Sequence, residues 1–167
     1  FFSYACPHCN DLNPMIHKWA AKLPPDVVFK RVPVSFNPFY ELMARLFYSL
    51  ETTGDLARLD EPLFNAIHVK GLKLINEKSI TEWATSQGVD ALKFGEAWKS
   101  FNVNSKTKRA DQMARNFRIQ GVPAIAVDGR YLVGGKNLQE LLALTDKVID
   151  KRRTERSSKS SKPIPQK

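Results

Sequence analysis

The chain opens with Phe1-Phe2-Ser3-Tyr4-Ala5-Cys6-Pro7-His8-Cys9, and the reading of this run decides the fold. Phe1 to Ala5 reads as the end of a buried, aromatic-rich strand. Behind the cysteines, Leu12, Met15, Ile16, Trp19, Ala20 and Leu23 repeat at the spacing of one helical face. Cys6 is therefore expected at the helix N-terminus, where unpaired N–H groups and the positive end of the dipole stabilise a thiolate. A thiolate is both the nucleophile and the better leaving group in disulfide exchange. Cys9, one turn later, is placed to close an intramolecular disulfide. His8 can add positive charge or a hydrogen bond to the Cys6 sulfur.

Other readings of the pair stand beside this one. Cys6 and Cys9 are the only cysteines, and with His8, His17 and His68 they could in principle furnish zinc ligands. A structural zinc needs four ligands, and no second pair has the usual spacing. Haem attachment requires His directly after the second cysteine, where this chain has Asn10. An inert structural disulfide is open, although so short a loop restrains the unfolded chain little.

Outward from the motif, Pro14 should kink the first helix and Pro24-Pro25-Asp26 end it. Val27 to Val34 is β-branched and reads as a strand, with Pro33 favouring an edge or strand end. Residues 37–120 are helical in pattern almost throughout. One helix is expected over Phe39–Glu51 and another from Asp60-Glu61-Pro62. Ser79-Ile80-Thr81-Glu82 has capping-box spacing. Asp90 opens a helix through Phe94, Ala97, Trp98 and Phe101; Ala110, Met113, Ala114 and Phe117 mark the last, which Gly121 stops. Trp83, Trp98 and Phe101 read as core rather than as a binding stripe. Glu41, Glu51, Asp55, Asp60 and Glu61 read as solvated helix surface rather than a carboxylate site.

The pattern then returns to strand: Pro123 to Val127, a two-residue Asp128-Gly129 turn, and Arg130 to Val133, a hairpin signal. Gly121-Val122-Pro123 at its entry suits a cis peptide bond, with an ordinary trans proline at a strand edge as the alternative. Leu138, Leu141, Leu142, Thr145, Val148 and Ile149 form a final helical face. Strands at both ends with about 80 helical residues between them imply an α/β sheet carrying a helical insertion.

The net charge is +9, but Lys151–Lys167 holds seven Lys/Arg against one Glu, so +6 of it belongs to the C-terminal tail. Rich in Ser, Lys and Pro, that tail is expected to be disordered and solvated, with contact to an anionic membrane surface or polyanion as the alternative. Nucleic acid is not an expected partner. No apolar stretch reaches the roughly 18 residues of a membrane span. Because the motif follows at once on Phe1, the chain is expected to be cut from a longer one, with its compartment inferred from chemistry.

Two runs, Phe-Phe-Ser-Tyr-Ala-Cys-Pro-His-Cys at 1–9 and Gly-Val-Pro-Ala-Ile-Ala-Val-Asp-Gly-Arg-Tyr at 121–131, resemble the DsbA-type disulfide oxidoreductases. The resemblance extends to about Ile149. It implies a thioredoxin fold with an inserted all-helical domain: a thioredoxin-like domain at 1–36 and 121–150, the insertion at 37–120, and a basic disordered tail at 151–167. It implies that Cys6 is the exposed nucleophile and Cys9 its buried partner. By the same resemblance His8 tunes Cys6, Pro7 belongs with them to the catalytic motif, and Gly121, Val122 and Pro123 hold the substrate. Reduced or unfolded secreted proteins, a DsbB-type quinone-linked membrane oxidase, a periplasmic location, a monomer and no metal or organic cofactor follow in the same way. A reductase or isomerase of the superfamily, and a peptide-binding module with structural cysteines, are the alternatives.

Two departures from the family pattern stand out. The acidic residue that usually precedes Phe-Phe, and the strand before it, are absent, so the N-terminal strand is expected to be truncated. The family's buried Lys is replaced by Arg31, with Lys30 beside it.

Overall fold

The computed structural model describes residues 1–160. These fall into two compact units, Phe1–Pro123 and the chain from Ala124 on.

In the first unit, Phe2 forms a parallel bridge to Pro33. Phe2 N–H donates to the Val32 carbonyl (3.1 Å), and Val34 N–H donates to the Phe2 carbonyl (2.9 Å). The pairing uses the residues flanking Pro33, so its missing N–H costs nothing here. The strand expected over Val27–Val34 is reduced to this bridge, because the opposite segment turns away at once: Cys6 N–H bonds back to the Ser3 carbonyl at 3.1 Å.

Helix α1 (Pro7–Ala20) then starts with Pro at its first position and runs unbroken through Pro14. Helix α2 (Pro38–Thr53) is capped by the Asn37 side chain, which accepts from Tyr40 N–H. It ends at Gly54, whose φ of 84° suits a residue without Cβ. Helix α3 (Leu56–His68) begins a turn earlier than Asp60-Glu61-Pro62 suggested, since Leu59 already belongs to the buried face with Leu63 and Ala66. Pro62 lies inside it. Helix α4 (Glu77–Ser86) has its capping box at Asn76 and Ser79, not at Ser79 and Glu82.

Helix α5 (Ala91–Lys99), capped by Asp90, stops short of Phe101. Ser100 caps helix α6 (Phe101–Asn116), which leaves Phe101 84% exposed, whereas Trp83 and Trp98 are core as read. The end of α6 is closed by Phe117 and by Arg118 in the left-handed region (φ 53°), not by Gly121. The core of this unit gathers Phe2, Tyr4, Cys6 and Cys9 with Met43, Leu46 and Phe47 of α2, Leu63 and Phe64 of α3, and Trp83 and Trp98. The opening segment is thus packed directly on the helical part of the chain.

The second unit is a hairpin and a helix. Strands β1 (Ile125–Val127) and β2 (Tyr131–Val133) pair antiparallel, with Val127 opposite Tyr131. Asp128 and Gly129 both have positive φ, as a tight hairpin turn requires, and Arg130 also belongs to the connection. Helix α7 (Leu138–Ser160) packs on both strands through Leu141, Leu142, Thr145 and Ile149.

The tail expected to be disordered from Lys151 is helical as far as Ser160. Composition misses the reason, which is a set of ion pairs with the hairpin turn. Arg152 Nε donates to Asp128 Oδ2 (2.8 Å), Arg156 donates to Asp128 Oδ1 (2.5 Å), and Tyr131 OH donates to Glu155 Oε1 (3.2 Å). Arg152 pairs with Glu155 as well. Residues 161–167 of that expectation lie outside the described residues. Among the described residues, no helix is long and apolar enough to cross a membrane.

Candidate active site

Cys6 occupies the N-cap of α1 with extended backbone (φ −90°, ψ 119°), and its carbonyl accepts from the N–H of Cys9 and of Asn10 at 3.1 Å each. No first-turn amide makes a cap hydrogen bond to the Cys6 side chain, but the backbone N–H groups of Cys9 and His8 act on its sulfur electrostatically. The Ser3 hydroxyl, itself buried, accepts from Ala5 N–H at 3.2 Å and holds the turn that delivers Cys6. Beneath it Phe2 meets Tyr4 and Phe47 edge to face, and Phe64 lies tilted against Tyr4 with ring centroids 4.8 Å apart. This aromatic floor fixes the turn by packing.

The Val122–Pro123 peptide bond is cis. The Val122 carbonyl accepts from the Cys6 thiol at 3.4 Å, so residues separated by most of the chain meet at the Cys6 sulfur. Val122 and Pro123 are half-buried, and Gly121 is exposed. Pro7 and His8 are exposed on the first turn of α1; His8 Nδ1 stands 3.9 Å from Asp11 Oδ2. His17 and His68 are engaged elsewhere: His17 faces Asp60, and His68 Nε2 bonds the Tyr4 carbonyl at 2.7 Å.

Both cysteines are free thiols and both are buried, Cys6 at 5% and Cys9 at 3% exposure. Here the expectation of an exposed Cys6 is corrected. As the N-cap, with its sulfur against the Val122 carbonyl, Cys6 is screened from solvent. What separates the two thiols is their ionisation. A hydrogen bond from the Cys9 thiol holds Cys6 down at about 6, against burial, which acts in the opposite direction. The backbone N–H groups of Cys9 and His8 and the charge on His8 help. The weak bond to Val122 exists only in the protonated form and works against them.

Cys9 moves the other way. Donating to Cys6 raises it most, burial adds to this, and the N–H of Ser3 opposes only in part. The reduced pair is therefore a thiolate at Cys6 and a thiol at Cys9, sharing one proton. We expect alkylation of Cys6 to rise with pH to half its maximum at about pH 6. A midpoint near the ordinary cysteine value of about 8.5 would contradict the assignment.

Tyr40 of α2 is a member of the site that sequence reasoning missed. Burial raises its hydroxyl most, and negative charge on the cysteine pair raises it further. Its ring stacks on Phe36, 6.0 Å between centroids, and Phe36 is 44% exposed. Helical periodicity marks Tyr40 only as one more aromatic residue.

A Cys-X-X-Cys pair on a helix N-terminus, with a cis-proline segment against its first sulfur, defines a thiol–disulfide redox centre of the thioredoxin type. Known proteins agree. A model of the DsbA-like thioredoxin domain matches residues 1–145. The thiol:disulfide interchange protein DsbA of Bordetella parapertussis is 39% identical over 153 residues, 89% of this chain and 73% of that relative. The protein of the same name from Azotobacter vinelandii is 36% identical over 92% of this chain and 73% of its own. The crystal structure of Pseudomonas aeruginosa DsbA superposes with a TM-score of 0.89 at 31% identity, covering 93% of this chain and 83% of that one. The chain belongs to the DsbA-like thioredoxin family, and it is a thiol:disulfide oxidoreductase with a helical insertion in its thioredoxin fold.

Proposed function

We propose that the protein is an oxidase that donates its Cys6–Cys9 disulfide to reduced, unfolded secreted proteins in the periplasm. The observation that carries this is the asymmetry of the pair, with Cys6 held at about 6 and Cys9 pushed up. Stabilising the Cys6 thiolate stabilises the dithiol form, which makes the disulfide a stronger oxidant.

A substrate thiolate attacks Cys6 Sγ; the Cys6–Cys9 bond breaks and its electron pair leaves on Cys9, which takes a proton. A second substrate thiolate then attacks the substrate sulfur of the mixed disulfide, and Cys6 departs as the better leaving group. The substrate loses two electrons and gains a disulfide, and the enzyme is left as the dithiol. Pro7 and His8 tune Cys6 from the first turn of α1. Gly121, Val122 and Pro123 hold the substrate backbone. Because the Val122 carbonyl stands against Cys6, substrate binding at this segment brings the attacking sulfur to the buried target. Phe36 and Tyr40 add an aromatic surface beside it.

The redox centre belongs to the thioredoxin part at 1–36 and 121–150, and residues 37–120 form the insertion. A DsbB-type, quinone-linked membrane protein restores the disulfide, and neither metal nor organic cofactor enters the cycle. The protein acts as a monomer. Nucleic acid is not a partner, since part of the tail charge is neutralised on Asp128 and Glu155.

The test mixes oxidised protein with a reduced, unfolded disulfide protein and counts thiols. One substrate disulfide should form for each Cys6–Cys9 pair reduced. If the disulfide persists beside reduced substrate, the protein is not an oxidase. A reductase is then the superfamily alternative.

A further inference from the structure

Asp60 belongs to α3, in the helical part of the chain, yet it is only 4% exposed. Three other segments turn polar groups toward it. The Tyr4 hydroxyl donates to Oδ1 at 2.6 Å, Arg31 Nη1 pairs with the same oxygen, and His17 Nε2 stands 2.9 Å from Oδ2. The Arg31 guanidinium lies over the Phe2 ring, 4.1 Å from its centroid, and reaches Asn13 Oδ1 at 3.4 Å.

Cys9, Asn13 and His17 follow one another at four-residue intervals on α1, so they share one stripe of the helix. At a rise of 1.5 Å per residue, Asn13 lies about 6 Å along the axis from Cys9. The guanidinium bonded to Asn13 is therefore about one helical turn from the buried thiol. Two opposite charges nearly cancel there. Alone, the cation would favour thiolate at both sulfurs, and alone the anion would disfavour it.

We infer that Asp60 is a positioning residue for the redox reaction: its carboxylate fixes and neutralises Arg31 behind Cys9, and so limits how oxidising the Cys6–Cys9 pair is. The inference rests on the reading of Cys6 and Cys9 as the exchanging pair. It gives the helical insertion a direct electrostatic part in the chemistry. Burial alone would raise the Asp60 carboxyl, but the charge of Arg31 and the bonds from Tyr4, His17 and Arg31 outweigh it and hold the group ionised.

The sign of one shift tests this. In Asp60→Asn the neutralising charge is gone while the shape is kept. The Cys6 midpoint, read from thiolate absorbance, should fall by about half a unit to one unit, and the reduction potential should become more oxidising. Mere loosening of α1 would weaken the bonds to the Cys6 sulfur and raise the midpoint. An unchanged or raised midpoint overturns the inference, and Asp60→Glu should restore the native value. If Asp60→Asn does not fold, His17→Arg on the half-exposed side of the cluster adds a fixed positive charge instead. Its Cys6 midpoint should fall, and an unmoved one overturns the inference. Failure of the proposed function is read separately, as absence of disulfide transfer by the unmodified protein.

Discussion

Cys6→Ser abolishes disulfide transfer, bringing oxidation of a reduced protein substrate down to the uncatalysed background. Without the Cys6 sulfur no Cys6–Cys9 disulfide exists to donate, and a serine hydroxyl neither ionises near neutral pH nor forms a mixed disulfide. The fold should be retained, since the helix keeps a good N-cap residue and the serine hydroxyl can stand in for the sulfur toward the Val122 carbonyl and the Cys9 thiol. Unchanged circular dichroism beside absent transfer is the expected pair of observations. A Cys6→Ser protein that still performed its cellular role would favour the binding-module reading, in which the cysteines are structural.

Asp60→Asn destabilises the protein by about 3 kcal/mol at pH 7, the lower end of what breaking a buried ion pair costs, because asparagine retains some hydrogen bonding. Arg31, Tyr4 and His17 all converge on this carboxylate, from three different segments. The pH dependence follows from the sign of the shift. The Asp60 carboxyl is held below its ordinary value, so its contribution is fully present above the unfolded carboxylate pKa of about 3.9. It is lost as pH falls through the still lower folded value. Denaturant unfolding should separate variant from wild type across the neutral range, and the two curves should approach each other only below about pH 4. Equal stability at pH 7 would mean that the buried pair contributes nothing.

The parts of this molecule legible in its sequence are those governed by local rules. Periodicity places α1 and the later helices, and the Asp128-Gly129 pair announces the hairpin. Cys6-Pro7-His8-Cys9 between an aromatic run and an apolar helical face is enough for the redox centre. Boundaries fail where two local signals compete. Ser79 sits in a real capping box, but as the third helical residue behind Asn76 rather than as the cap. Phe101 continues the apolar spacing of α5, yet Ser100 breaks the helix and turns the ring out to solvent.

The larger misses are tertiary. Asp60 resembles any acidic residue on a helix surface, because its partners lie 29 to 56 residues away in the chain. Tyr40 carries no mark of its nearness to the cysteines. The basic stretch after Lys151 reads as disordered because composition does not show that Asp128, in a turn more than twenty residues earlier, binds Arg152 and Arg156. The burial of Cys6 is of the same kind: it depends on the Val122 carbonyl, 116 residues distant.

The measurement that bears most directly on the central claim is the equilibrium reduction potential of Cys6–Cys9 against a glutathione buffer. A thiolate held at about 6 beside a thiol kept protonated predicts a potential above roughly −200 mV, more oxidising than the glutathione pool. A value near −270 mV, about that of thioredoxin, would contradict the account and make the protein a reductase.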